Sequence, residues 1–114
     1  DGRPNGSRVG YKEAPDMPHG VHRVVRESMR ILLIGAGGVG DAIVKIAATR
    51  HFYEHIVVAD FDLSRAENSI AWVRKRNGEE KASQFTAAKI DASNAAQIVE
   101  LIKAHNITHV LKAV

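Results

Sequence analysis

The chain contains no cysteine. That excludes a disulfide framework and any thiolate metal site, and it fits a cytoplasmic setting. Proline is scarce and confined to one end, at Pro4, Pro15 and Pro18. No apolar run approaches the ~18 residues that a membrane span needs. The opening residues carry no apolar centre of the kind a signal peptide has. Charge of one sign is also lacking: 16 Lys and Arg stand against 13 Asp and Glu, a formal charge of +3. That excess is too small to point to nucleic acid. The densest basic run, Arg74-Lys75-Arg76, falls near the end of a predicted helix, where cations suit the macrodipole.

Several chemical constellations are missing too. His51 and His55 straddle a helix end and a strand start, and His105 and His109 do the same. Neither pair shares one helical face, as a metal pair at that spacing would need. Ser64, Ser69 and Ser93 have no Gly-x-Ser-x-Gly setting, so no nucleophile elbow is expected. No Gly-Lys-Ser or Gly-Lys-Thr follows the glycines, which excludes a P-loop. Trp72 sits among helix-facing apolar residues and reads as packing.

What remains is one small domain of 114 residues, 45% of them apolar. Residues 1–28 hold every proline and show no sustained period, so they read as a flexible tail with at most a turn of helix near "VHRVVRES". From Met29 the pattern becomes regular. "RILLI" (30–34) and "HIVVAD" (55–60) read as buried strands, "FTAAKI" (85–90) as a weaker third strand and "ITHVLKAV" (107–114) as a fourth. Helices are predicted between them. The first runs from Gly38 to Arg50, with Val39, Ile43, Ile46 and Ala47 on one face. The second runs from Ser64 to Arg76, with Ala66, Ile70 and Val73 inward and Asn77-Gly78 as its stop. The third is capped by Ser93 and presents Ile98, Leu101 and Ile102 as its apolar residues. Strict alternation of strand and helix argues a parallel sheet with helices on its faces. Right-handed crossovers give the order 3-2-1-4. The fold class is α/β: a Rossmann-like, doubly wound parallel sheet of four strands over residues 29–114.

Gly35-Ala36-Gly37-Gly38-Val39-Gly40 satisfies G-x-G-x-x-G at a strand-to-helix junction. Each glycine has its own reason. Gly35 turns the strand sharply, Gly37 lets a pyrophosphate approach the backbone, and Gly40 lets the helix lie close to the sheet. The N–H groups at the helix start then face the phosphates. The second strand ends in Asp60, slightly beyond the usual ~20-residue spacing. A carboxylate there accepts ribose hydroxyls and repels a 2′-phosphate, which favours NAD and leaves NADP as the second candidate. Arg65 opens the second helix and could stack on adenine, reach a 2′-phosphate or simply face solvent. Asp91 ends the third strand and is either an adenine contact or a cap for the third helix. Asp41 lies in the first helical turn and serves the dipole.

"MRILLIGAGGVGDAIVKIAATRHFYEHIVVADFDLSRAE", with "IDASNAAQIVELIKAHNITHVLKAV", resembles the N-terminal cofactor domain of the saccharopine dehydrogenase family. The resemblance implies cofactor contacts at Gly35, Gly37, Gly38, Val39 and Gly40, an adenosine contact at Asp60, and one near Asp91. In that family the fourth strand closes with an Asn-Ala-like pair before the chain turns toward the nicotinamide. Lys112-Ala113 stands here instead, so Ala113 is the position matched and the lysine is a departure. The implied chemistry is oxidation or reduction of a secondary amine joining two amino acids. The implied partner is a dinucleotide.

A full dinucleotide fold has six strands. Four are expected here, so the chain reads as a fragment without a catalytic residue, inactive by itself. The alternative reading is a nucleotide-sensing module of the potassium-transport regulator type. Unpaired groups along the fourth strand lead to an expectation of self-association at that edge.

Overall fold

The computed structural model describes residues 9–13, 22–26 and 29–113. Two short strands stand apart in the chain's first part. β1 (Val9–Glu13) pairs antiparallel with β2 (His22–Arg26), in a register that sets Tyr11 opposite Val24. The turn of helix expected within residues 21–28 is thus replaced by a strand, as the adjacent β-branched Val24 and Val25 favour. The expectation of a flexible tail otherwise falls outside the described residues.

From Met29 onward the chain is a parallel sheet with helices on its faces. β3 (Arg30–Ile34), β4 (His55–Asp60), β5 (Phe85–Lys89) and β6 (His109–Lys112) lie in the order β5-β4-β3-β6. This is the predicted 3-2-1-4. β3 is central, pairing Leu33 with Val58 on one side and with Leu111 on the other. Ile31–Ile34 and Ile56–Asp60 are all buried, as expected of strands covered on both faces. β6 is shorter than expected and lies at the sheet edge, with Val110 and Leu111 exposed.

The two faces have separate cores. On one, Ile31, Leu33, Ile56 and Val58 pack with α1 (Gly38–Ala47) and α2 (Leu63–Asn77). On the other, Leu32, Ile34, Val57 and Ala59 meet Ile98, Leu101 and Ile102 of α4 (Ala95–Ala104). A single turn, α3 (Glu79–Ala82), follows α2 and has no counterpart in the sequence pattern. Gly78 ends α2 with φ of 96°, as a C-terminal glycine should.

α1 departs from expectation. Val39 and Ile46 are 65% and 58% exposed, while Gly40, Val44 and Ala47 face the sheet. The helix is rolled because it touches the sheet through a glycine. Gly40 packs against the Gly35 carbonyl, and the face that runs from it at i, i+4 and i+7 is buried. The cap of α4 is also one residue later than expected. Asn94 accepts from Ala96 N–H and Gln97 N–H, whereas the Ser93 hydroxyl is spent on Asp91.

His55 opens β4, and its Nε2 lies 2.7 Å from Thr86 Oγ1 on β5. Burial, and then the charges of Arg30 and His105, hold its pKa below 6.5, with Glu54 opposing. The fold therefore favours the neutral ring. As pH falls through 6.5 the unfolded chain takes up a proton that the folded chain resists, so stability declines. His55→Gln is expected to flatten this slope. Urea midpoints on either side of that pH check it: the drop on acidification should be smaller in the variant than in the parent.

A candidate dinucleotide site at the glycine turn

The carboxyl ends of β3 and β4 are tied together by one side chain. Asp60 is 7% exposed, and both of its oxygens accept from backbone. Ala36 N–H donates to Oδ1 at 2.8 Å, and Asp62 N–H donates to Oδ2 at 2.9 Å. The first bond holds the glycine turn against the end of β4. The second bends the chain after β4 into α2. Gly35 N–H adds a backbone bond to Ala59 carbonyl at 2.7 Å, and Gly35 has φ of 110°, which suits glycine alone.

The remaining glycines divide by role. A Cβ at Gly40 would fall inside the Gly35 carbonyl, so the packing of α1 requires glycine there. A Cβ at Gly38 would meet nothing within 4 Å, and one at Gly37 would meet only Arg65 Nη1, at 3.7 Å. The fold tolerates side chains at both positions. A ligand approaching the backbone would not.

The helix starts reinforce the distinction. Asp62 caps α2 by accepting from Ser64 N–H, and Asn94 caps α4. Gly37 stands at the cap of α1 and offers no side chain. The first-turn N–H groups of α1 have no partner inside the helix, and the dipole makes that end electropositive. Gly38 and Val39 are exposed there. An anion is the group this end would receive.

The structure brings most of the singled-out residues together. Gly35, Gly37, Gly38, Val39 and Gly40 form the turn, and Asp60 braces it from below. Arg65 reaches over Gly37 from the first turn of α2. Ala113 lies beside Gly40 and donates its N–H to Ile34 carbonyl at 2.7 Å. Asp91 stands elsewhere, past the end of β5. Its Oδ1 accepts from Ser93 N–H and Oγ, and these bonds, the hydroxyl's first, hold its carboxyl below the usual value. It caps no helix. Asp62 was not singled out in the sequence. Its signal was a cap followed by Ser64, whose hydroxyl and N–H likewise lower its carboxyl. Burial pushes the Asp41 carboxyl up, but bonds from Lys45 and Ser69 and the Lys45 charge outweigh it. Asp41 therefore ties α1 to α2.

Two open clefts flank this end of the sheet. One, of about 610 Å³, is lined by Asp60, Ser64, Arg65 and Lys89. The other, of about 460 Å³, is lined by Ile90, Asp91, Gln97 and Leu101. Phe61 and Lys89 border both. No cluster able to hold a metal ion occurs among the described residues, and no described helix is long and apolar enough to cross a membrane.

A glycine turn with free helical N–H groups, set over the central strand of a parallel sheet, is what a Rossmann-type NAD(P)-binding domain presents to a pyrophosphate. The chain belongs to the saccharopine dehydrogenase NADP binding domain family, whose model matches residues 31–113. Comparison with curated proteins gives no match. Among solved structures, the chain is similar to menthone neomenthol reductase from Mentha piperita, with 16% identity and a TM-score of 0.61 over 76% of this chain and 31% of that one. That likeness is one of fold. It is also similar to quinate dehydrogenase from Corynebacterium glutamicum in complex with NAD, with 28% identity and a TM-score of 0.51 over 77% of this chain and 27% of that one. The chain thus spans under a third of the length of either.

Removing the Asp60 carboxylate frees two backbone donors that the fold has turned toward it. Asp60→Ala is expected to cost roughly 3 kcal/mol, the scale of two hydrogen bonds to a charged acceptor. Gly38→Ala should change stability by less than about 0.5 kcal/mol, as for a side chain placed in open space. Chemical denaturation of both variants checks the pair.

Proposed function

We propose that this chain is the cofactor-binding part of an NAD(P)-dependent oxidoreductase that oxidises or reduces a secondary amine joining two amino acids, as the family's name-giving enzyme does with saccharopine. The observation that carries the reading is the start of α1. It lacks a side-chain cap, and its Gly37 and Gly38 are not demanded by the fold. The match to the family model over residues 31–113 supports the amine chemistry. When bound, the dinucleotide would supply the hydride donor or acceptor. The chain's own part is to hold the pyrophosphate on the N–H groups of Gly38, Val39 and Gly40 and to offer Asp60 to the adenosine ribose.

The proposal includes a preference for NAD. Asp60 lines the cleft that also holds Arg65, and a 2′-phosphate entering there would meet its carboxylate. Its remaining lone pairs suit a diol and repel a phosphate. Arg65 works the other way, because a guanidinium at the cleft wall can pair with phosphate.

Calorimetric titration tests both parts. The parent should bind NAD more tightly than NADP. Gly37→Val should abolish binding of either while the fold survives, because its side chain occupies the path of the pyrophosphate. Arg65→Ala should weaken NADP more than NAD. Unchanged NAD affinity in Gly37→Val would refute the phosphate site, and tighter binding of NADP by the parent would refute the preference.

A further inference from the structure

The sequence holds two Asn-Gly pairs, Asn5-Gly6 and Asn77-Gly78, and the second lies among the described residues, where it ends α2. Asn77 and Gly78 are both exposed. A Cβ built at Gly78 would meet nothing within 4 Å, so the space around this residue is open. The Asn77 side chain is held loosely, by a long bond from Nδ2 to the Ala48 carbonyl at 3.4 Å. The Gly78 nitrogen is held better. Its N–H donates to the Arg74 carbonyl at 3.0 Å and closes the end of the helix. The Arg74 side chain spans the same junction: its Nε stands 2.9 Å from Glu79 Oε1 and 3.0 Å from Oε2. Arg74 thus grips the Asn77-Gly78 junction twice, by its carbonyl and by its guanidinium.

We propose that Asn77 is a self-modification site, at which the chain deamidates its own side chain, and that Arg74 sets the rate by holding the last turn of α2 closed. The chemistry needs only water. The Gly78 nitrogen gives up its proton to hydroxide and bonds to Asn77 Cγ. The Cγ–Nδ2 bond breaks, and the nitrogen takes up a proton from water and leaves as ammonia. A five-membered imide remains. Water then opens it at either carbonyl, giving aspartate or an isoaspartate whose main chain runs through the former side chain. Glycine at position 78 suits this ring closure because no Cβ obstructs the approach. While the Gly78 N–H is bound to the Arg74 carbonyl, the nitrogen keeps its proton and points along the helix, so attack waits for the helix end to fray. The product alters the fold locally. A carboxylate replaces the amide that donates to the Ala48 carbonyl, and it adds negative charge at the carboxyl ends of α1 and α2, where the dipoles disfavour it.

The test incubates the full chain in mildly alkaline buffer beside a synthetic peptide of residues 72–82. Mass spectrometry of the fragment containing Asn77 follows the amide-to-acid exchange and distinguishes it from any at Asn5. Asn77 should convert in the chain about fivefold more slowly than in the peptide, the scale of one backbone hydrogen bond. Glu79→Gln should speed conversion in the chain about twofold, the scale of an exposed ion pair. The same substitution should leave the peptide's rate unchanged, since the peptide has no helix end to close. Asn77→Asp, which mimics one product, should lower the urea midpoint by roughly 0.5 M. Circular dichroism verifies that both variants fold. If Asn77 stays intact in the chain while the peptide converts, the modification site is refuted. If the chain converts as fast as the peptide, or if Glu79→Gln changes both rates alike or neither, the control by Arg74 is refuted.

Discussion

The bond from Ala36 N–H to the buried Asp60 carboxylate connects everything else at the carboxyl edge of this sheet. It joins the glycine turn to the strand beside it. The second oxygen of the same carboxylate sets the path into α2. α2 in turn carries Arg65 to a place above Gly37. The two strands, the turn and the second helix therefore share one anchor. Two charge-assisted hydrogen bonds from backbone are stronger than neutral ones, and in a buried setting they fix geometry closely. Asp60 also lines the cleft beside Arg65.

The second constraint is the contact between Gly40 and the Gly35 carbonyl. It brings α1 down onto the turn that follows β3. An ordinary helix start would be closed by a side chain, as Asp62 and Asn94 close α2 and α4. α1 is left open. Among the three longer helices, α2 and α4 are closed by a side chain and α1 is not.

Much of this was legible in the sequence. The strand-to-helix alternation gave the sheet order, because right-handed crossovers leave few alternatives. Gly35 and Gly40 were readable because turn geometry and close packing demand glycine there. The exposed side of α1 was not readable. Val39, Ile43, Ile46 and Ala47 made an apolar face by period alone, but the close approach at Gly40 rolled the helix and left Val39 and Ile46 in water. Ser93 and Asn94 are both good caps, and only the bond between Ser93 and Asp91 decided between them. Arg65 had three open roles, since the direction of a long side chain is set by tertiary neighbours.

On the proposed function, the open N–H groups of α1 receive the phosphates of a dinucleotide. Amide chemical shifts of the isotopically labelled chain, followed during titration with NAD, test it directly. The amides of Gly38, Val39 and Gly40 should shift together and saturate along one binding curve, while the capped first-turn amides of α4 stay in place. Saturable NAD binding that leaves those three amides unmoved would contradict it.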